Sequence, residues 1–218
     1  MRRAPSTGHR SEDRRAEHRP GPFERPAPRA GFGLLSVVGA PAARAAAHTT
    51  TALVVASLAV SPLFDGVAVA VFALVLGAVT LVRVLAVPAA LQALLGGVLL
   101  VAAWSAALLL YEEVWWLDIV VHFGLTGVLA AVAGVLLHRG RMTPTGADRR
   151  GRAGIALTTT AVGTSLGVVW EVAEWLGYVY VDDSIYVAPG DTVGDLVAGA
   201  AGSAVAGLLL ARRVRSRR

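Results

Sequence analysis

Apolar residues run through this chain in long blocks instead of alternating with polar ones. The blocks cover about 47–64, 66–82, 89–111, 116–138, 154–176 and 192–211. Each is close to the roughly 20 residues a helix needs to cross the hydrocarbon core of a bilayer. Lipid gives backbone N–H and C=O groups no partner but each other, so such blocks predict helices. The expected fold is all-α: a polytopic membrane helix bundle with about six transmembrane helices. The first two blocks are short, and Pro62 sits near the end of the first, so five spans is the alternative count.

The flanking segments read differently. Residues 1–30 are rich in Arg, Pro and Glu and almost devoid of apolar side chains. They cannot offset the entropy of ordering and are expected to form a disordered cytoplasmic tail. Residues 31–46, interrupted by Pro41 and Arg44, read as an interfacial or lead-in segment. A signal-peptide core is the competing reading, and the long charged leader argues against it. The transmembrane domain is then 47–211, followed by a basic cytoplasmic tail at 212–218.

Charge supplies an independent test of this map. All 20 basic residues are Arg. Nine lie between Arg2 and Arg44, then come Arg83, the group Arg139, Arg141, Arg149, Arg150 and Arg152, and the tail Arg212, Arg213, Arg215, Arg217 and Arg218. With six helices, every one of them falls on the same side. The positive-inside rule makes that side, and both termini, cytoplasmic. The segments assigned to the other side carry Asp65, Glu112, Glu113, Asp182 and Asp183. This distribution also explains the net charge of +5 without a nucleic-acid partner, because the Arg residues mark topology and form no binding face.

Composition narrows the chemistry. The chain is 55% hydrophobic with a mean hydropathy of +0.61, well beyond an ordinary soluble domain, so the lipid bilayer is its first partner. There is no Cys, which excludes disulfides and thiolate metal sites. Small residues recur at spacings of four: Gly163 and Gly167 in the fifth block, Gly199, Ser203 and Gly207 in the sixth. Such spacing lets helix backbones approach closely in lipid, although a chain with 24 Gly will make some such pairs by chance.

Ionisable residues inside the blocks carry the functional signal. Asp118 and His122 fall in the first two turns of the fourth block. Glu171 and Glu174 fall in the last two turns of the fifth, and Asp191 and Asp195 at the start of the sixth. Each pair has i,i+3 or i,i+4 spacing and so shares a helix face. From the block ends, His122, Glu171 and Asp195 lie roughly 9, 8 and 6 Å deep on the same side. Asp118 and Asp191 could each be a helix cap. Capping does not reach His122 or Asp195, and the helix dipole opposes Glu171 near a C-terminus. Ionisable groups at such depth are costly and point to function. No Arg lies in the outer half of the expected bundle to neutralise them, which leaves a bound cation, shared protons or both. An oxygen-rich set with one imidazole suits Zn²⁺, Mn²⁺, Mg²⁺ or Fe²⁺. The expected metal ligands are Asp118, His122, Glu171, Glu174, Asp191 and Asp195. Glu171, Glu174 and His122 are the expected catalytic groups, with one Glu as general base. Trp115, Trp116, Trp170, Trp175, Tyr178 and Tyr180 read as an interfacial aromatic belt, and Glu112 and Glu113 as a solvated helix end.

Three ordered blocks carry a resemblance. Asp118-x3-His122-Phe123, Glu171-x2-Glu174-Trp175 and Asp191-x3-Asp195, followed by a Gly/Ala-rich helix, resemble the YjdF-type bacterial inner-membrane proteins, which look akin to the VanZ-like membrane proteins. The likeness covers about residues 100–211. It implies the same site residues and a bacterial plasma-membrane location. VanZ-like proteins are linked to teicoplanin resistance, but the resemblance names no substrate. The family usually has a further Asp where this chain has Ala188, so Asp182 or Asp183 substitutes or the site has one carboxylate fewer.

Three functions compete on this evidence. One is a metal-dependent hydrolase or transferase acting on a lipid or envelope substrate. Another is a non-catalytic envelope accessory protein with a structural cation. The third is a cation- or proton-coupled transporter, disfavoured because the polar groups cluster at one side and not at the midplane. The oligomeric state is not legible.

Overall fold

The computed structural model describes residues 37–144, 148–182, 185 and 189–215. The segment 1–30 lies outside the described residues. So do Asp183, Ala188 and the end of the basic tail. The described residues form seven α-helices and no strand. They are α1 (Pro41–Val60), α2 (Gly66–Val84), α3 (Ala89–Ala107), the one-turn α4 (Leu110–Glu113), α5 (Leu117–Arg139), α6 (Arg149–Tyr180) and α7 (Pro189–Arg215). A 3₁₀ turn, Ser61–Leu63, follows α1. Six of these helices are long and apolar enough to cross a membrane.

The helix ends follow from local chemistry. Pro41 sits in the first turn of α1, where its missing N–H removes no helical bond. Asp65 caps α2 by accepting from the Ala68 N–H at 2.6 Å, and Asp148 caps α6 by accepting from the Gly151 N–H at 3.0 Å. At the end of α2, Ala86 takes a left-handed φ of 50°, and the Val87 N–H returns to the Val82 carbonyl. The Arg139 guanidinium, at the end of α5, donates to the Ala86 carbonyl at 2.9 Å and so ties two helix ends together. Arg83 does the same toward α1, donating to the Ala47 carbonyl at 3.1 Å and to Thr51 Oγ1 at 2.9 Å.

The boundaries differ from the hydropathy blocks in instructive ways. α1 begins at Pro41, inside the segment read as a lead-in. The third block was expected to run to 111, but α3 stops at Ala107. Leu109 then adopts a left-handed φ of 55°, and the chain reverses before α4. α6 exceeds its block at both ends. Its 32 residues span roughly 48 Å against a ~30 Å core, so its ends reach the interface or the helix tilts.

The bundle consists of two three-helix groups. α1, α2 and α3 pack together around Val54, Phe72, Val75, Val79 and Ala103. α5, α6 and α7 form the second and most tightly associated group, and α3 against α5 joins the two. Apolar side chains such as Leu53, Leu74, Leu94, Val101, Val169 and Val197 point outward and are exposed. Their exposure is what a lipid-facing surface requires. Packing within the second group depends on missing side chains. A Cβ at Gly202 of α7 would strike the Phe123 carbonyl of α5. A Cβ at Gly163 of α6 would strike Ala130 of α5 and Ser203 of α7. The small-residue spacings in the fifth and sixth blocks thus lie at these helix contacts.

Candidate functional site

The closest-packed helices also carry the ionisable residues. Asp118 lies in the first turn of α5 and His122 one turn further on the same face. Glu171 and Glu174 lie on α6 and Asp195 on α7. Measured along their helices, His122, Glu171 and Asp195 stand roughly 8, 14 and 9 Å from the nearer helix end. Glu171 is deeper than its block implied because α6 continues to Tyr180.

His122 is the centre of the arrangement. Its Nε2 lies 3.3 Å from Asp118 Oδ1, and its Nδ1 lies 3.3 Å from Glu171 Oε1. The side chains of His122 and Glu171 are each 9% exposed and that of Asp118 15%. Asp195, 4% exposed, joins Asp118 and His122 in a group whose ligand atoms all lie within 4.8 Å of one another. Glu174 joins His122 and Glu171 in a second group within the same limit. The structure therefore brings together Asp118, His122, Glu171, Glu174 and Asp195. Asp191 is in the first turn of α7, and its side chain is outside the described set.

The proton count at His122 is restrictive. A neutral imidazole has one N–H and one lone pair. Here both ring nitrogens face carboxylate oxygens. One nitrogen can donate to its carboxylate. The other needs a second ring proton, a proton on the carboxyl group, or a cation between the two. In a weakly solvated site a lone pair held against a carboxylate is too unfavourable to stand alone.

Two further side chains belong to this neighbourhood, Tyr111 and the belt residue Trp170. Tyr111, on α4, donates from its hydroxyl to the Ala102 carbonyl at 3.2 Å and also hydrogen-bonds Ser105, a buried residue of α3. Burial pushes the Tyr111 phenol well above its usual range, and the charges of Asp118, Glu174 and Asp195 act in the same sense. The left-handed turn at Leu109 is what folds Tyr111 back toward them. Trp170 hydrogen-bonds Glu174, four residues on along α6. Since indole is only a donor, it presents its N–H to the carboxylate. Trp170 thus does more than mark the interface, and its i,i+4 spacing to Glu174 is a signal that sequence offers. Tyr111 has no comparable signal, because nothing in the sequence marks Leu109 for a left-handed turn.

Other polar residues remain apart. Glu112 and Glu113 are exposed. Asp182 is exposed at the end of α6. His138 lies at the far end of α5, with Nδ1 3.1 Å from Thr143 Oγ1.

The model of a family described as predicted membrane protein, DUF2238, matches residues 42–216. The chain belongs to this family. Its match takes in all six spanning helices of this DUF2238 protein, including α1 and α2, which carry no diagnostic residues. The YjdF-type resemblance of the three ordered blocks is to this same family. No curated protein and no solved structure matches the chain. The DUF2238 description establishes membership and a membrane setting, and it assigns no activity.

Proposed function

We propose that this multi-pass membrane protein binds a divalent cation, Zn²⁺, Mn²⁺, Mg²⁺ or Fe²⁺, at the His122 cluster. We further propose that it uses the cation as a hydrolase or transferase on a lipid or lipid-linked envelope substrate. The observation that carries the reading is the placement of one imidazole between the carboxylates of Asp118 and Glu171, with Asp195 of a third helix and Glu174 close by. Two donors about 2.1 Å from a tetrahedral Zn²⁺ are separated by about 3.4 Å. A 3.3 Å contact between a His122 ring nitrogen and a carboxylate oxygen is compatible with that separation. One ring nitrogen would hold the cation, and the carboxylate at the other would fix the ring, the usual support for a metal-bound histidine. Such a cation lowers the pKa of bound water or polarises a phosphoryl oxygen. A Glu not engaged with it serves as general base.

Topology supports the same reading. The Arg residues mark the cytoplasmic side, so the cluster opens at the extracytoplasmic face of a bacterial plasma membrane, where envelope lipids are within reach. An envelope role also accords with the likeness to VanZ-like proteins. The test is metal content by mass spectrometry for the detergent-purified wild type, Glu171→Gln and Asp195→Asn, followed by turnover of envelope lipids. Stoichiometric metal in the wild type, reduced in both variants together with turnover, is the expected result. A wild type that takes up no metal and gains no thermal stability from divalent cations refutes the site. Bound metal without turnover leaves an accessory role, and cation flux in proteoliposomes makes it a carrier.

A further inference from the structure

The opposite end of the second helix group holds a different feature. A Cβ at Gly207 of α7 would strike the Ala156 carbonyl of α6 and come within 2.9 Å of Thr160 Oγ1. The two backbones therefore meet there. Next to that contact, toward the arginine-rich end, a notch of about 200 Å³ is lined by Arg152, Ala153, Ala156, Leu208, Ala211 and Arg212.

The lining is amphiphilic in a definite order. Leu208, on α7, is 54% exposed, and Ala153 is exposed on α6, so the notch faces away from the bundle toward lipid. Ala153, Ala156 and Ala211 stand where larger side chains would close it. Arg152 in the first turn of α6 and Arg212 near the end of α7 line it, one arginine from each helix. Ligand pockets for whole small molecules run to roughly 300–1,000 Å³, so this notch is too small for one. It suits a phosphodiester head group with the first methylenes of its chains lying along Ala153 and Leu208. Guanidinium groups bind phosphate oxygens in a bidentate manner.

We propose that this notch binds one anionic phospholipid from the leaflet at the arginine-rich end, its phosphate held between Arg152 and Arg212. The site is separate from the carboxylate cluster and does not depend on the activity proposed for it.

The experiment follows the thermal midpoint of the full-length protein in non-ionic detergent. Phosphatidylglycerol, phosphatidylcholine and inorganic phosphate are titrated separately. A saturable rise with phosphatidylglycerol, absent with the other two, is expected. Arg152→Gln combined with Arg212→Gln should weaken the apparent affinity roughly 30-fold, from about fivefold for each basic residue at an anionic surface. Ala153→Leu fills the notch and keeps both arginines, and it should weaken phosphatidylglycerol binding while leaving the lipid-free midpoint unchanged. Arg149→Gln with Arg150→Gln removes the same charge but no lining residue, and should weaken affinity clearly less than the Arg152 and Arg212 pair does. An equal response to phosphatidylglycerol and phosphatidylcholine, a full response to inorganic phosphate alone, or equal losses in the two arginine pairs would overturn the proposal.

Discussion

Gly202→Ala adds one methyl group where α7 crosses α5, and its consequences can be worked from the contact. The new Cβ would lie 2.9 Å from the carbonyl carbon of Phe123, 3.2 Å from its Cα, and nearer still to its oxygen. Ordinary contact begins at 3.4 Å. The obstacle is backbone, so no side chain can swing aside. Set by the carbonyl oxygen, the withdrawal of α7 from α5 must be about an ångström. Overpacking of this kind costs about 1–3 kcal/mol. Alanine's better helix propensity returns at most about 1 kcal/mol. A net loss of about 1–2 kcal/mol is expected. Gly202 is seven residues from Asp195, hence on the same face of α7, and Phe123 adjoins His122. The same withdrawal therefore draws Asp195 away from His122, and a coordination site tolerates only about 0.5 Å of error. Gly97→Ala in α3 is the matched control. A Cβ there meets nothing within 4 Å, so the same chemical change should be neutral or stabilising by up to about 1 kcal/mol. Reversible denaturation in mixed detergent micelles measures both variants. If Gly202→Ala proves as stable as Gly97→Ala, the close crossing of α5 and α7 is wrong, and with it the reason these ionisable groups meet.

Three other outcomes can be checked. Asp118→Asn and Glu171→Gln should lower metal affinity unequally: removing the ligand on the cation's side of His122 abolishes binding, while removing the orienting carboxylate weakens it about 10–100-fold. Isothermal titration distinguishes them, and equal losses would contradict a single cation on one ring nitrogen. Tyr111→Phe should cost about 1 kcal/mol in thermal denaturation by removing the hydroxyl's bonds to Ala102 and Ser105, and an unchanged midpoint would show that the tether bears no load. In whole cells, a cysteine replacing the exposed Glu113 should react with a membrane-impermeant maleimide, whereas one replacing Met142, 72% exposed at the other end, should react only after permeabilisation. The reverse pattern would invert the topology.

Much of this architecture is legible in the residue pattern because a bilayer imposes one rule on every span. Blocks of about 20 apolar residues identify the six helices, and the arginines sort to one end of them. Hydropathy, however, measures the lipid-facing length and not the helix. α6 runs on through an arginine-bearing first turn because Asp148 caps it, and at its other end it runs on to Tyr180. α3 stops short of its block because the reversal at Leu109 is decided by tertiary contacts, among them Tyr111 on Ala102. The candidate site was legible for an energetic reason. Asp118, His122, Glu171, Glu174 and Asp195 stand out because carboxylates and imidazole at depth in lipid are too costly to be incidental. Trp170 escaped because indole is at home in the interface, where an aromatic belt accounts for it without any site, and Tyr111 because the turn that folds it back leaves no mark in the sequence.

The division of the bundle bears on how the buried charge is balanced. α1, α2 and α3 enclose an apolar core, while all the clustered carboxylates belong to α5, α6 and α7. That group packs by omitting side chains at positions such as Gly163 and Gly202, which brings backbones close and leaves little room for water. Little water means a low effective dielectric, in which like charges repel strongly and any cation among them is held strongly. A permanent guanidinium could have balanced the carboxylates, as Arg139 satisfies the carbonyls at the other end, yet the sequence has no Arg from 84 to 138 or from 153 to 211. The balancing charge must therefore be exchangeable: protons on His122 and the carboxyl groups, or a bound cation. A bundle serving only as a scaffold has no need of four carboxylates with an exchangeable counter-charge. For that reason the function proposed for this DUF2238 protein centres on His122 and not on its apolar helices.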